Sequence, residues 1–181
     1  MRREWIGSAI LFVVVALLVL RPWEEDPDAG PASTMALVTR VVDGDTIEAR
    51  IDGEVEDVRL IGVDTPETVK PGEPVQCFGP QASDFTHGQL EGRRVRLVFG
   101  VERRDVYGRM LAYISIEDST LNVSKPVQSP TRARFFNSVL ISRGLARTLT
   151  IAPNDRFAGL FERLELAAAR AGRGLWGACG P

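Results

Sequence analysis

The sequence predicts an α+β, mainly β domain: a five-stranded OB-fold Greek-key barrel with about three helices packed outside it, preceded by an N-terminal hydrophobic helix. Three observations point there. Five short stretches rich in β-branched residues are separated by Asp-Gly turns or polar connections. One helical stretch is interposed between the third and fourth of these, and two more follow the fifth. An apolar run near the start is set off from the rest by an acidic, proline-containing linker.

The first expected strand, 36–42, is β-branched and runs into the turn Asp43-Gly44. The second, 46–51, alternates polar and apolar residues and ends at Asp52-Gly53. Residues 55–63 make a third, 93–99 a fourth and 109–116 a fifth. The first helix of the domain spans 80–90, with Pro80 at an early position where its missing N–H costs nothing. A second, 134–143, places Phe135, Val139 and Leu140 on one side and stops at Gly144. The last, 156–171, repeats Phe157, Leu160, Phe161, Leu164 and Ala168 at helical spacing; Asn154 or Asp155 supplies its cap and Gly172 its end.

Residues 1–21 lie outside this pattern. Arg2 and Arg3 precede an apolar run from Trp5 to Leu20, which Arg21-Pro22 closes. At ~1.5 Å per helical residue the run falls slightly short of a ~30 Å hydrocarbon core. It reads as a signal anchor or a signal peptide. No small-x-small cleavage site follows Leu20 closely, which favours the anchor. Either way the acidic Pro-rich linker 22–34 leads to a domain at 35–181 outside the cytoplasm, tethered to the cell membrane or secreted. Cys77 and Cys179 form no C-x-x-C pair, which argues against a zinc site; in an oxidising compartment they read as one disulfide.

Net charge is −2, and from Met35 onward 19 basic residues balance 19 acidic ones. A global cationic field is therefore absent, and an anionic substrate must be held by a local pocket and a metal. Lys70 and Lys125 are the only lysines, so arginine dominates, which suits bidentate phosphate contacts.

Three segments carry chemistry: Val42-Asp43-Gly44-Asp45-Thr46, the stretch from Arg59 through Asp64-Thr65-Pro66 to Glu67, and Asp105-Val106-Tyr107-Gly108-Arg109. Taken singly, each is an ordinary turn or strand charge. Together they hold the inventory for metal-assisted attack of water on a phosphodiester. Asp45 and Asp64, with the Thr65 carbonyl, are hard oxygen donors of the kind Ca2+ prefers. Glu67 is the candidate general base. Arg59 and Arg109 are candidate phosphate clamps, and Tyr107 can stack on a base or sugar. Simple alternation does not bring Arg59 and Asp64 to one face, so a bend is expected, with Gly62 its natural place. An alternative partner for Arg59 is Glu48 across the sheet. The single histidine, His87, is expected on the exposed side of the first helix, and no serine–histidine or cysteine–histidine pair is available for covalent catalysis.

In this order and on these elements, the segments resemble the thermonuclease, or staphylococcal-nuclease-like, family. The resemblance covers roughly residues 36–176 and includes Gly79-Pro80-Gln81-Ala82-Ser83, Gly144-Leu145-Ala146 and Gly174-Leu175-Trp176. It implies calcium at Asp45, Asp64 and the Thr65 carbonyl, a general base at Glu67, and phosphate contacts from Arg59 and Arg109. It also implies cleavage of the bond from phosphorus to the 5′ oxygen in DNA and RNA, leaving 3′-phosphates, by a protein expected to be monomeric. The chain departs from the family pattern at Val106, where a lysine precedes the tyrosine. It lacks stacking tyrosines around Leu149-Thr150-Ile151, and it carries an insertion at 118–134 with Lys125, Arg132 and Arg134. The competing reading is a non-catalytic nucleic-acid-binding OB module; retention of all five reactive side chains argues against it.

Overall fold

The computed structural model describes residues 32–68, 72, 74–116 and 135–179. The expected hydrophobic helix, most of the linker and the insertion at 118–134 lie outside the described residues. Among those described, no helix is long and apolar enough to cross a membrane.

Among the described residues seven strands are formed: β1 Ser33–Val41, β2 Thr46–Ile51, β3 Glu54–Leu60, β4 Gly62–Asp64, β5 Arg94–Arg104, β6 Met110–Ser115 and β7 Arg147–Leu149. Five of them close a barrel in the order β1-β2-β3-β6-β5, and β1 pairs with β5 to complete it. All pairings in the barrel are antiparallel except β3 with β6. Closure removes the exposed edges that a five-stranded open sheet would carry. The inward positions are apolar and fully enclosed, among them Val38, Ile47, Val58, Leu60, Leu97 and Ile114. Three helices pack outside: α1 Gly79–Leu90, α2 Phe136–Ser142 and α3 Ala158–Arg170, followed by the single turn α4 Leu175–Ala178.

Three expectations need correction. The third strand does not run unbroken through residues 55–63. It stops at Leu60, and the chain turns at Ile61 and Gly62 to start β4, which pairs with β7 in a separate two-stranded sheet. β7 had no place in the five-strand reading, because three residues are too few to show alternation. The third helix is not capped by Asn154 or Asp155: its N-cap is Phe157, with no side-chain hydrogen bond. Asn154 instead clamps the far end of β5. Its Nδ2 donates to the Glu102 carbonyl at 2.8 Å and its Oδ1 accepts from the Glu102 N–H at 3.0 Å. That clamp accompanies a β5 extending to Arg104, beyond the Phe99 end read from apolarity.

The bend at Gly62 does what the placement of Arg59 and Asp64 requires. Gly62 adopts φ 79°, and a Cβ there would stand 2.5 Å from the buried Phe161 ring. Buried Asn137 of α2 fixes the neighbouring backbone: Nδ2 donates to the Ile61 carbonyl and Oδ1 accepts from the Ile114 N–H, both at 2.9 Å. Gly62→Ala combines left-handed backbone strain with overpacking, and is expected to cost about 2–5 kcal/mol. A denaturant midpoint within error of wild type would show that Phe161 yields freely and that glycine is dispensable at the bend.

Candidate active site

The site begins at the turn between β1 and β2. Asp43 Oδ1 accepts the Asp45 N–H at 3.0 Å, and Thr86 of α1 donates its hydroxyl to the Gly44 carbonyl at 2.8 Å. Gly44 permits this packing, because a Cβ there would lie 2.7 Å from the Thr65 side chain. Asp45 is thereby carried inward and is almost wholly buried. Its Oδ2 accepts the Thr65 N–H at 2.6 Å and the Thr65 hydroxyl at 2.9 Å. Its backbone carbonyl accepts the Leu60 N–H at 2.9 Å, stitching the turn to the end of β3.

Arg59 occupies the centre. Its Nη1 lies 2.8 Å from Asp45 Oδ1 and its Nη2 3.1 Å from Asp64 Oδ1, so one guanidinium spans both carboxylates. Nη1 also donates to the Val63 carbonyl at 2.9 Å. The Glu48 alternative is not adopted: Glu48 pairs with Arg40, while Arg59 lies in register opposite Thr46. The two aspartates differ sharply in environment. The Asp45 side chain is 7% exposed and that of Asp64 is 54% exposed. Burial pushes the Asp45 carboxyl up to about 6; the Arg59 charge and the Thr65 hydrogen bonds oppose that rise, and nearby Asp43 adds to it.

Arg109 enters from an adjacent segment. It stands immediately before β6, whose Met110 and Leu111 lie beside Val58 and Arg59 of β3. Asp105 aims it. The carboxylate Oδ2 accepts from Arg109 Nε at 2.7 Å and lies 2.7 Å from Nη2, while Oδ1 accepts the Tyr107 and Arg109 N–H groups at 2.9 and 3.0 Å. Desolvation acts to raise the Asp105 carboxyl, but the Arg109 side chain and the two backbone donors outweigh it and hold the group below the usual carboxylate range. Tyr107 is exposed, with the Arg109 guanidinium 5.4 Å from its ring centroid. A cleft of about 320 Å³ beside this loop is lined by Glu48, Glu56, Asp57, Tyr107 and Arg109.

Glu67 lies on the loop after β4, two residues beyond Thr65. Its Oε1 accepts the Thr68 N–H at 2.8 Å. Gln76 holds the loop through both backbone groups of Glu67: Oε1 accepts its N–H at 3.1 Å, and the Gln76 N–H donates to its carbonyl at 2.9 Å. The next residue, Cys77, is bonded to Cys179, with a Cα–Cα separation of 5.8 Å. His87 is exposed on α1 and pairs with Glu91, as a surface histidine would.

The structure thus gathers Asp45, Arg59, Asp64 and Thr65 into one contact network, and sets Arg109 with Tyr107 in a second network on the neighbouring segment. Asp105, Asn137 and Gln76 are positioning residues that sequence reasoning missed. Only the first left a local signal, an Asp four residues ahead of an Arg across a Tyr-Gly turn; the other two act through contacts distant in sequence. Among the described residues no three His, Cys, Asp or Glu side chains converge as a metal-binding group. A cation would rest on Asp45, Asp64, the Thr65 carbonyl and water, an all-oxygen set that fits calcium better than a softer metal.

Residues 57–178 match the model of the family described as staphylococcal nuclease homologue. The thermonuclease of Staphylococcus intermedius is 39% identical over 181 residues, spanning 97% of this chain and 99% of that protein. The thermonuclease of Staphylococcus hyicus is 35% identical, spanning 92% and 95%. The SPbeta prophage-derived endonuclease YokF of Bacillus subtilis is 34% identical over 139 residues, spanning 76% of this chain and 42% of that protein.

Proposed function

The chain belongs to the staphylococcal nuclease homologue family and is a nuclease hydrolase; from that premise we propose that it hydrolyses phosphodiester bonds of both DNA and RNA, depends on calcium and leaves 3′-phosphates. The observation that carries this reading is the guanidinium of Arg59 spanning the Asp45 and Asp64 carboxylates. A cationic group already bridges the two acids, beside an opening to solvent at Asp64, where a phosphate would meet both an arginine and a cation.

Each residue then has a task. Asp45, Asp64 and the Thr65 carbonyl would hold calcium, which when bound would neutralise phosphate charge and acidify water. Glu67 accepts the proton of the attacking water. Arg59 and Arg109 bind the non-bridging oxygens and oppose the charge that grows on them. Asp105 keeps Arg109 oriented before substrate arrives, so little is lost in ordering it. Tyr107 offers an exposed face to the adjoining base or sugar. The chain acts as a monomer outside the cytoplasm, held at the membrane by residues 1–21 or released from it; the Cys77–Cys179 bond suits such a compartment.

The test is cleavage of single- and double-stranded DNA and RNA by the oxidised chain, with calcium or with chelator. Glu67→Gln and Arg109→Ala are each expected to lower the rate by ~10²–10³ with small effects on stability. Rates unaffected by chelator, or undiminished in Arg109→Ala, overturn the mechanism. Binding without cleavage favours the OB-module reading instead.

A further inference from the structure

A second recess lies away from the carboxylates, on the outer side of α1. It has a volume of about 700 Å³, and its lining includes Phe78, Gln81 and Phe85, then Ser142 and Arg143 at the end of α2, and Arg173 ahead of α4. Gln81 and Phe85 lie four apart on one face of α1, and Phe78 stands immediately before that helix. The lining contains two arginines and no acid. The Arg143 guanidinium lies 4.8 Å from the Phe85 ring centroid, and Arg173 donates to the Ser142 carbonyl at 3.1 Å. Both side chains are thus held by an aromatic face or a carbonyl, neither of which neutralises them. Among the described residues no carboxylate pairs with either.

A third arginine links the recess to the reacting centre. Arg147 of β7 is the direct cross-strand partner of Asp64 on β4. Its guanidinium stacks on Trp176, 4.4 Å from the ring centroid, while Asp64 pairs with Arg59. Trp176 follows Gly174, whose neighbour Leu175 donates its N–H to the Gly144 carbonyl at 2.8 Å. Arg147, Arg143 and Arg173 therefore lie around one short junction between the α2–β7 turn and α4. The opposite flank of the site is different. Beyond Arg109 the cleft is lined by Glu48, Glu56 and Asp57, two of which are already neutralised by Arg40 and Arg104. Beyond Arg109 a polyanion meets three acids, two of them paired with arginines, whereas at the recess it meets two arginines and no acid.

We propose that the recess and Arg147 form an exosite for the sugar–phosphate backbone of a nucleic-acid strand, whose scissile phosphate lies at Arg59. Arg147 takes the phosphate nearest the centre, and Arg143 and Arg173 take phosphates further along. Phe78 gives a base or sugar an apolar contact, while the Phe85 ring, stacked on Phe136, holds Arg143 in place. The ligand class rests on the nuclease reading of the site; the location of the exosite does not.

The experiment compares the oxidised full chain with the double variant Arg143→Ala/Arg173→Ala, with Arg147→Ala, and with the lysine substitution at each position. Binding of a fluorescent single-stranded 20-mer is measured by anisotropy in chelator over a range of salt. Cleavage of the 20-mer and of a dinucleotide is measured in calcium. The double alanine variant should bind the 20-mer roughly tenfold more weakly, and lose about 1.4 from the slope of log affinity against log salt, the share of two phosphates. Its kcat/KM should fall about tenfold more for the 20-mer than for the dinucleotide, and the lysine variants should keep the wild-type slope. An unchanged slope, equal losses on both substrates, or equally tight competition by polyglutamate of matching charge overturns the exosite. A wild-type chain that cleaves neither substrate refutes the nuclease reading, while the chelator arm still decides whether the arginines hold a strand.

Discussion

Arg59→Ala is expected to lower phosphodiester cleavage by roughly 10³ and to destabilise the metal-free protein by about 3–5 kcal/mol. The two losses share one cause. The side chain is 14% exposed and its guanidinium spans Asp45 and Asp64. Without it Asp45 keeps its Thr65 hydrogen bonds but loses its countercharge in a buried setting. Burial already lifts that carboxyl well above the usual carboxylate range, to about 6, and Arg59 is the group that most opposes the rise. Its removal must lift the carboxyl further. A raised folded-state pKa contributes stability that is fully present below the unfolded value and is lost as pH rises through the folded value. The cost of Arg59→Ala should therefore grow as pH rises from about 6 towards 8 and level off below pH 6. Urea titrations in chelator across that range measure it. A penalty independent of pH would mean that the bridge to Asp45 is not its source. Arg59→Lys retains a charge without the fork that reaches two carboxylates at once, and should recover part of the stability but little of the rate.

Replacing Cys77 and Cys179 by serine is expected to lower stability by about 4–5 kcal/mol and the melting temperature by roughly 10–20 °C. The bond closes a loop across a sequence separation of 102 residues and ties the segment entering α1 to the tail beyond α4. Without it the unfolded chain regains the entropy of that loop, a large share of the ~5–15 kcal/mol that holds a domain of this size together. None of Asp45, Arg59, Asp64 or Arg109 touches either sulfur. Well below the melting temperature, cleavage of a dinucleotide should therefore change little. Thermal melts of wild type with and without reductant, beside the double serine variant, provide the measurement. Coincident curves would show that the α4 tail stays docked through its own packing, with the Leu175 N–H on the Gly144 carbonyl and Trp176 against Arg147.

The barrel was legible because its signals are local. Two Asp-Gly turns, alternation along residues 46–51 and β-branched runs mark strands whichever partners they find, and five such runs with one helix between the third and fourth leave few ways to close a small core. The three helices emerged from the same logic of spacing and punctuation. The misreadings lie where a distant contact overrides a local signal. Residues 55–63 are apolar enough to continue as one strand; the backbone turns at Ile61 because Asn137 claims the Ile61 carbonyl and Phe161 fills the space a side chain at Gly62 would need. Asn154 carries an ordinary capping signal, yet its amide is committed to Glu102 on β5.

The sequence by itself determined which chemistry was affordable: two aspartates, a glutamate and two arginines on segments ordered as in a known family, with one histidine and no covalent nucleophile pair. It also identified the cysteines that join, since two cysteines admit a single intramolecular pairing. The tertiary structure alone decided how the charges are arranged: that one guanidinium spans both aspartates, that Asp45 is buried while Asp64 meets solvent, that Asp105 rather than a sheet neighbour aims Arg109, and that Arg147 stacks on Trp176. The physical reason is that residue type and short-range spacing set what a side chain can donate or accept. Whether it is buried, and which partner it finds there, depends on segments tens of residues away that only the closed barrel and its helices bring together.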